Sequence, residues 1–291
     1  MKISPNIFLI DTEALGFEQT VACYVVIGRK TAIIDAGYSS SGDVLLNALK
    51  AYGVEKIDYI IPTHVHLDHS GGAWVLAEKF PNATVLAHEK AVKHLVDPTR
   101  LVASVREVYG PDIMQLFGEV KPIEADRVHK VSDGETLSLG DVDLVFIYTP
   151  GHAPHQFSII LDDGSLFTAD AVPVKYPGKP YVIPSTPPPS YDFDQYIASL
   201  RMLGEKQAKK FLTPHFGQTT ASHEWVENLI QKTYQFVSVA EKAFKQGRGL
   251  GAIYNALHVF IRSQTDEELP VYAESLLKIS AMGLYEYFRK K

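Results

Sequence analysis

Four short apolar runs of this 291-residue chain each lead into a side chain that can bind a metal ion, and this repetition constrains the fold more than any other feature. The first run, Tyr59-Ile60-Ile61, precedes THVHLDHSGG at residues 63–72, and the other three precede His152, Asp170 and His215. If the runs are strands of shared sheets, these polar side chains lie at one sheet edge, on loops that a rigid scaffold holds in place. The fold must therefore bring segments that are distant in sequence to one edge.

The spacing inside this motif predicts two metal positions. Residues two apart in an extended backbone point the same way, so His64 and His66 face a common point. Asp68 and His69 are adjacent and face a different direction, just before a helix predicted to open near Gly71-Gly72. Neutral imidazoles and carboxylates are ligands of catalytic zinc, which keeps an open position for water. The complete set of predicted metal ligands is His64, His66, Asp68, His69, His152, Asp170 and His215.

The remaining pattern predicts an α/β (α+β) architecture. Strand-like runs fall into two groups, before residue 90 and between residues 128 and 169, and each group is followed by helical patterns. Residues 171–190 are a proline-rich loop, and residues 222–291 have the periodicity of three helices. We therefore expect one domain at residues 1–221 and a helical C-terminal extension at residues 222–291 that packs on it.

Composition narrows the classes of partner. The chain is 46% hydrophobic and 21% charged, which is ordinary for a globular protein with a large core. Its net charge of −6 disfavours nucleic acid and anionic membranes. One cysteine, Cys23, rules out an internal disulfide and fits a buried strand. Because we find neither a signal-peptide pattern nor an apolar run long enough to span a membrane, we expect a cytoplasmic protein.

The segments that carry the metal prediction resemble the metallo-β-lactamase superfamily. They are THVHLDHSGG (63–72), DGETLSLGDVDLVFIYTPGH (133–152), LFTAD (166–170) and TPH (213–215). Their order is similar to that in the hydrolytic branches of the family. The resemblance covers roughly residues 1–216 and implies an αβ/βα sandwich of two mixed β-sheets with outer helices. The resemblance thereby implies that residues 1–221 are a catalytic domain.

The resemblance also implies a dinuclear centre with two Zn²⁺ ions, for which iron and manganese are alternatives. The implied ligands are His64, His66 and His152 for the first ion, Asp68, His69 and His215 for the second, and Asp170 as the bridge. A metal-bridging hydroxide would be the nucleophile. Asp68 would receive a proton and pass it to the leaving group. Among the other histidines, His155 either orients a ligand or is an ordinary strand residue.

Within the family, the chain resembles hydrolases of the glyoxalase II and acyl-homoserine-lactone lactonase type. Diiron flavoproteins of the family carry an acidic residue in place of His66, and true β-lactamases carry cysteine in place of Asp170. The lactonases place a tyrosine where this chain has Pro173. We therefore predict that Tyr176 or Tyr181, from the same loop, is a catalytic residue that donates to the developing oxyanion.

The sequence thus predicts a metal-dependent hydrolase that cleaves an ester-like bond, a thioester or a lactone, in a small-molecule substrate. A phosphodiesterase or ribonuclease is one alternative, and its basic track would use Arg100, Arg106, Lys175 and Lys179. A non-heme iron oxygenase, such as a persulfide dioxygenase, is another. A catalytically inactive binding module is disfavoured because none of the seven ligands is missing. We expect a monomer or a homodimer, with no membrane or nucleic-acid partner.

Overall fold

A computed structural model describes residues 1–247 and 249–291, which form two six-stranded mixed sheets flanked by helices and followed by a helical C-terminal extension. This arrangement confirms the predicted fold class. The strands are β1 Ile7–Asp11, β2 Ala22–Ile27, β3 Thr31–Ile34, β4 Tyr59–Ile61, β5 Thr84–His88, β6 Val128–Val131, β7 Thr136–Ser138, β8 Asp143–Tyr148, β9 Phe157–Leu161, β10 Ser165–Phe167, β11 Lys210–Thr213 and β12 Gly217–Thr220. The helices are α1 Gly42–Ala51, α2 Leu67–Ser70, α3 Ala73–Lys79, α4 Glu89–Val96, α5 Thr99–Tyr109, α6 Met114–Phe117, α7 Phe193–Glu205, α8 His223–Lys245, α9 Gly249–Arg262 and α10 Val271–Lys290.

The first sheet has the strand order β1-β2-β3-β4-β5-β6. The strands β1 to β3 are antiparallel, and β2 and β3 form a hairpin. From β3 to β6 the pairing is parallel, with α1, α3 and α4 in the connections. Because the carboxyl ends of parallel strands meet at one edge, Asp35 after β3 and the motif after β4 come together there.

The second sheet has the order β12-β11-β10-β9-β8-β7, in which only the β10–β11 pair is parallel. The residues after β8, β10 and β11 include His152, Asp170 and His215. The edge strand β12 was missing from the prediction. Its sequence, Gly217–Thr220, is polar and has no alternating apolar pattern, so only its pairing with β11 reveals it.

Apolar side chains from the inner faces of both sheets form the central core. Successive side chains of a strand point to opposite faces of its sheet, so every second side chain points inward. Leu9 and Tyr24 of the first sheet therefore pack in one cluster with Phe146 and Phe167 of the second. Outside this layer, α1, α3 and α4 cover the first sheet, and α7 and α8 cover the second. Cys23 is fully buried in β2, as the sequence predicted. The two sheets therefore give the loops at their shared edge a rigid base.

The C-terminal extension forms its own apolar cluster with the proline-rich loop and α7. It begins where predicted, because Oγ of Ser222 accepts from the backbone N–H of Trp225 over 3.2 Å and caps α8. The division into domains at residues 1–221 and 222–291 stays a prediction. No helix of the described residues combines the length and the apolar character needed to cross a membrane.

Candidate metal centre

Strand β4 delivers the histidine motif to the shared edge of the sheets. His64 and His66 follow β4, with His66 in extended backbone, and Asp68 and His69 lie in the one-turn helix α2. Amide hydrogen bonds to the carbonyl of His66 form that turn. A Cβ on Gly72 would lie 2.4 Å from the carbonyl oxygen of Ala36, so glycine lets the motif pack against the loop after β3.

Three histidine rings converge in the first half of the site. Nδ1 of His66 lies 3.0 Å from Nε2 of His64 and 2.8 Å from Nε2 of His152. Burial lowers the pKa of each of these three imidazoles below the ordinary histidine value, so they are neutral near pH 7. Neutral imidazole is the form that binds metal.

Hydrogen bonds at the far side of two of these rings fix which nitrogen carries the proton. Nδ1 of His152 donates to the carbonyl of Ser185 over 3.0 Å, which leaves Nε2 with a free lone pair. Nδ1 of His64 lies 3.2 Å from Oγ1 of Thr63, whose own proton goes to Asp35. His64 therefore donates from Nδ1, and its Nε2 is also unprotonated, with a free lone pair. Lone pairs that converge in this way are stable together only around a cation or a shared proton.

The second half of the site combines two histidines with a carboxylate. Oδ2 of Asp68 lies 3.4 Å from Nε2 of His69 and 3.5 Å from Nε2 of His215. Nδ1 of His69 donates to Asp35 over 2.9 Å, and Nδ1 of His215 donates to the carbonyl of Thr20 over 3.0 Å. Both Nε2 atoms therefore face Asp68 as possible ligand atoms.

Asp170 lies between the two halves. Its Oδ1 is 3.6 Å from Nε2 of His69 and 3.4 Å from Nε2 of His215, whereas its Oδ2 is 3.4 Å from Nε2 of His152. Burial opposes ionisation of this carboxyl, yet the neighbouring histidines hold its pKa well below the usual range. Each oxygen of one carboxylate thus faces a different group of imidazoles, which is the arrangement a bridging ligand requires.

The donor set fits divalent cations. Nε2 of His69 and Oδ1 of Asp170 are buried and have no hydrogen-bond partner among the described residues, although such groups are rarely left unpaired. The seven predicted ligands fall into three overlapping groups whose ligand atoms lie within 4.8 Å of one another. Imidazole and carboxylate donors suit zinc, and also iron and manganese. The structure brings all seven predicted residues together, while their role as ligands stays a prediction.

Sequence reasoning missed Asp35, which orients two of the histidines. Its Oδ2 accepts from His69, and its Oδ1 accepts from the backbone and the hydroxyl of Thr63, which in turn contacts His64. Asp35 follows the apolar strand β3, so it obeys the pattern from which the ligands were predicted. Its φ of 59° lies in the left-handed region, which aspartate tolerates better than most residues. The backbone acceptors Thr20 and Ser185 have no sequence signature at all.

The two predicted catalytic tyrosines are placed differently. Burial raises the pKa of Tyr176 above its ordinary value, and among the charges that raise it further are those of Asp68 and Asp170. The charged groups that act on Tyr181 are instead Lys179 and acidic residues of the extension, and its hydroxyl is buried without a hydrogen-bond partner in the described structure. Of the pair, Tyr176 is the one whose pKa is raised by the charges of Asp68 and Asp170.

His155 lies beside the histidine cluster without a hydrogen bond to it. Its ring centroid is 6.3 Å from that of His64 and 6.1 Å from that of His66. Burial, together with the nearby His94 and His152, lowers the pKa of His155 to about 3, so the ring is neutral at pH 7. Its Nδ1 is buried and unpartnered among the described residues. The structure therefore gives no hydrogen bond by which His155 orients a ligand.

Comparison with known proteins identifies a family for this chain. A family model described as the metallo-beta-lactamase superfamily matches residues 16–215. A metallo-beta-lactamase fold-containing protein of Sulfurisphaera tokodaii, ST1585, is 34% identical over 207 residues, which are 69% of this chain and 74% of that relative. The solved structure of ST1585 superimposes with a TM-score of 0.73 at 26% identity and covers 99% of this chain and 100% of its own.

A second relative is the coenzyme F420H(2) oxidase of Methanothermobacter marburgensis. It is 35% identical over 159 residues, which are 52% of this chain but 34% of the oxidase. The similarity is thus limited to a part of that longer protein. The ST1585 match, in contrast, includes the helical C-terminal extension.

Proposed function

This chain belongs to the metallo-beta-lactamase superfamily, and from that premise we propose that it is a dinuclear metal-dependent hydrolase that cleaves an ester-like bond, a thioester or a lactone, in a small molecule. The observation that carries the proposal is the position of Asp170. Its two oxygens face separate groups of histidines, so one carboxylate can serve two cations. Two adjacent cations around an open position are typical of hydrolytic sites.

Divalent cations held here, Zn²⁺ in our proposal, would supply Lewis acidity, which makes water nucleophilic near neutral pH and polarises a substrate carbonyl. His64, His66 and His152 would hold the first ion, Asp68, His69 and His215 the second, and Asp170 both. The chain itself orients these donors. Asp35, Thr63, Thr20 and Ser185 fix the protons of four histidines on the nitrogens that face away from the site.

Asp68 is the proposed proton carrier. Its side chain is 23% exposed, whereas that of Asp170 is 4% exposed, so Asp68 is the more accessible carboxylate. Burial opposes its ionisation, but His69 and His215 hold its pKa below the ordinary value. Asp68 is therefore a carboxylate at pH 7, ready to accept a proton from the attacking water and to return it to the leaving group.

Tyr176 is the proposed oxyanion donor. The charges of Asp68 and Asp170 act on its phenol, and burial keeps that phenol protonated at pH 7. A protonated hydroxyl near the reacting carbonyl can donate to the negative charge that develops on the carbonyl oxygen. Besides burial, the charged groups that most affect the pKa of Tyr181 are Lys179 and acidic residues of the extension, so Tyr181 is left out of the proposed machinery.

The surroundings support an uncharged ester more than a phosphodiester. Tyr38 stacks on Phe117 with ring centroids 4.5 Å apart, and Tyr176 meets Tyr272 edge to face at 4.6 Å. Asp68 is among the charges that act on Tyr38, which connects this aromatic surface with the site. Aromatic surface favours apolar acyl or ring groups of a substrate.

Two of the four basic residues predicted for a nucleic-acid track are engaged elsewhere. Lys179 forms an ion pair with Glu267 at 2.6 Å, and Lys175 donates to the carbonyl of Lys179 over 3.2 Å. Both contacts give these ammonium groups partners within the protein. Together with the net charge of −6, they support a small-molecule substrate.

The test is hydrolysis by the zinc-loaded protein of a panel that contains a glutathione thioester, an acyl-homoserine lactone, a phosphodiester and a short RNA. We expect turnover of the thioester or the lactone and its loss in His66→Ala. His129→Ala is the matched control, because His129 is exposed on β6, two strands away from β4, and is not among the proposed ligands. Turnover of RNA alone, or equal turnover in His66→Ala, would contradict the proposal.

A further inference from the structure

We propose that helix α10 of the C-terminal extension is a positioning element of the metal centre, and that Ser280 and Gly283 hold His152 through the loop at residues 184–186. The inference rests on the proposed metal site and adds to it a part of the chain that lies outside the family match at residues 16–215. It assigns the extension a role in metal binding beyond covering the sandwich.

The first link joins His152 to the loop. Nδ1 of His152 donates to the carbonyl of Ser185 over 3.0 Å, and both residues are buried. The opposite nitrogen, Nε2, lies 2.8 Å from Nδ1 of His66 and 3.4 Å from Oδ2 of Asp170. An imidazole ring is rigid, so the position of the Ser185 carbonyl sets both the tautomer of His152 and the direction of Nε2.

The second link joins the loop to α10. The hydroxyl of Ser280 donates to the carbonyl of Pro184 over 3.0 Å, and the hydroxyl of Thr186 donates to the carbonyl of Ser280 over 3.0 Å. Ser280 and Thr186 are fully buried, so water does not compete for these bonds. The two bonds hold the residues on either side of Ser185, and they therefore restrict the plane of its carbonyl.

The third link is the close approach of the two backbones at Gly283. A Cβ at this position would lie 1.8 Å from the carbonyl oxygen of Thr186 and 2.7 Å from the carbonyl carbon of Pro187. The obstacle is backbone, which cannot rotate away as a flexible side chain does. Glycine is an unfavourable residue in a helix interior, and this contact supplies a packing reason for its presence in α10.

The same helix contacts the loop at a second point. Tyr272, near the start of α10, lies edge to face against Tyr176, with ring centroids 4.6 Å apart. Tyr176 follows Asp170 along the chain by six positions. Helix α10 thus packs against the proline-rich loop at Tyr176 and at Thr186, and this loop connects the bridging carboxylate to the carbonyl that orients His152.

The test compares two glycine substitutions in the extension. Gly283→Ala places a methyl group against Thr186, whereas Gly251→Ala in α9 places one where nothing lies within 4 Å. The readout is Co²⁺ binding by the full chain, followed by the absorption of the bound ion and by competition with a chelator. We expect Gly283→Ala to weaken the ion held by His64, His66 and His152 by about tenfold or more, the usual effect of losing an orienting hydrogen bond. The other ion, and both ions in Gly251→Ala, should bind as in the wild type.

Thr186→Val provides a second variant, because it removes the hydroxyl donor with little change in shape, and it decides the question alone if Gly283→Ala does not fold. Weaker binding in Thr186→Val of the ion held by His64, His66 and His152, with the other ion unchanged, supports the proposal. Unchanged affinities, or equal weakening of both ions, overturn it, since equal weakening indicates a general loosening. Wild-type protein that binds no Co²⁺ overturns the proposed function as well, whereas normal metal binding without hydrolysis contradicts only the proposed function.

Discussion

Nδ1 of His69 donates to Oδ2 of Asp35 over 2.9 Å, and the other oxygen of Asp35 accepts two hydrogen bonds from Thr63. One buried carboxylate therefore serves three donors, and it keeps the proton of His69 on the nitrogen that faces away from the site. Thr63 extends the same control to His64. Asp35 is thus a positioning residue for both halves of the proposed centre.

Asp35→Asn is expected to weaken metal binding by about tenfold to a hundredfold. Asparagine tolerates the left-handed backbone at this position but has one acceptor oxygen where aspartate has two. If that oxygen serves Thr63, the amide group faces His69 and forces its proton onto Nε2, which can then no longer bind metal. Competition with a chelator measures the change. Asp162→Asn, in the exposed turn before β10, is the control, and equal affinity in the two variants would contradict the assigned role.

Single ligand substitutions should separate the two halves of the site. His152→Ala removes a donor from the first half, and His215→Ala removes one from the second, so we expect each variant to retain about one zinc ion instead of two. Asp170→Asn should weaken both ions, because its oxygens face both halves. Zinc content after gel filtration measures the result. Loss of only one ion in Asp170→Asn would argue against a bridging carboxylate.

Tyr176→Phe should lower kcat by about a hundredfold if its hydroxyl donates to the oxyanion, with KM nearly unchanged. Tyr181→Phe is the matched control from the same loop, since its hydroxyl is buried and, besides burial, the charged groups that most affect its pKa are Lys179 and acidic residues of the extension. Steady-state hydrolysis of the substrate found in the panel measures both variants. Equal kcat values for Tyr176→Phe and the wild type would remove Tyr176 from the mechanism.

The clustering of the proposed metal ligands was predictable because each segment that carries them repeats a simple pattern, an apolar strand followed by one or more polar residues. His152 and His215 needed no long-range information beyond the assumption of shared sheets, and the structure brings them together. Helices α8 and α10 were also predictable, since their apolar residues have helical spacing and Ser222 is a typical N-cap.

Contacts that involve backbone atoms were not predictable in the same way. The carbonyls of Thr20 and Ser185 orient His215 and His152. Because every residue has a backbone carbonyl, the amino-acid type at these positions does not indicate the role. The edge strand β12 escaped because its residues are polar and its pairing is tertiary. Gly283 likewise has meaning only once the approach of Thr186 is known.

Opposite pKa shifts among the ligands predict how metal-free protein responds to pH. Burial works against the charged form of His69 and His215, but nearby carboxylates raise the pKa of both above the ordinary 6.5. Their stabilising effect is present below pH 6.5 and is lost as pH rises through the folded-state pKa. Burial lowers the pKa of His64, His66 and His152 below 6.5, and their effect is lost as pH falls below that value.

The two trends oppose each other, so we expect the free energy of unfolding of the metal-free protein to be greatest near pH 6.5 and to fall on either side. Zinc requires all five of these histidines to be neutral, and it should therefore add more stability as pH rises from 6.5 to 8.5. Urea unfolding across this range, with EDTA and with zinc, measures both curves. His69→Gln removes one raised pKa and should flatten the alkaline loss of stability in EDTA. If the metal-free protein gains stability from pH 6.5 to 8.5, then the carboxylates do not hold His69 and His215 in their charged forms.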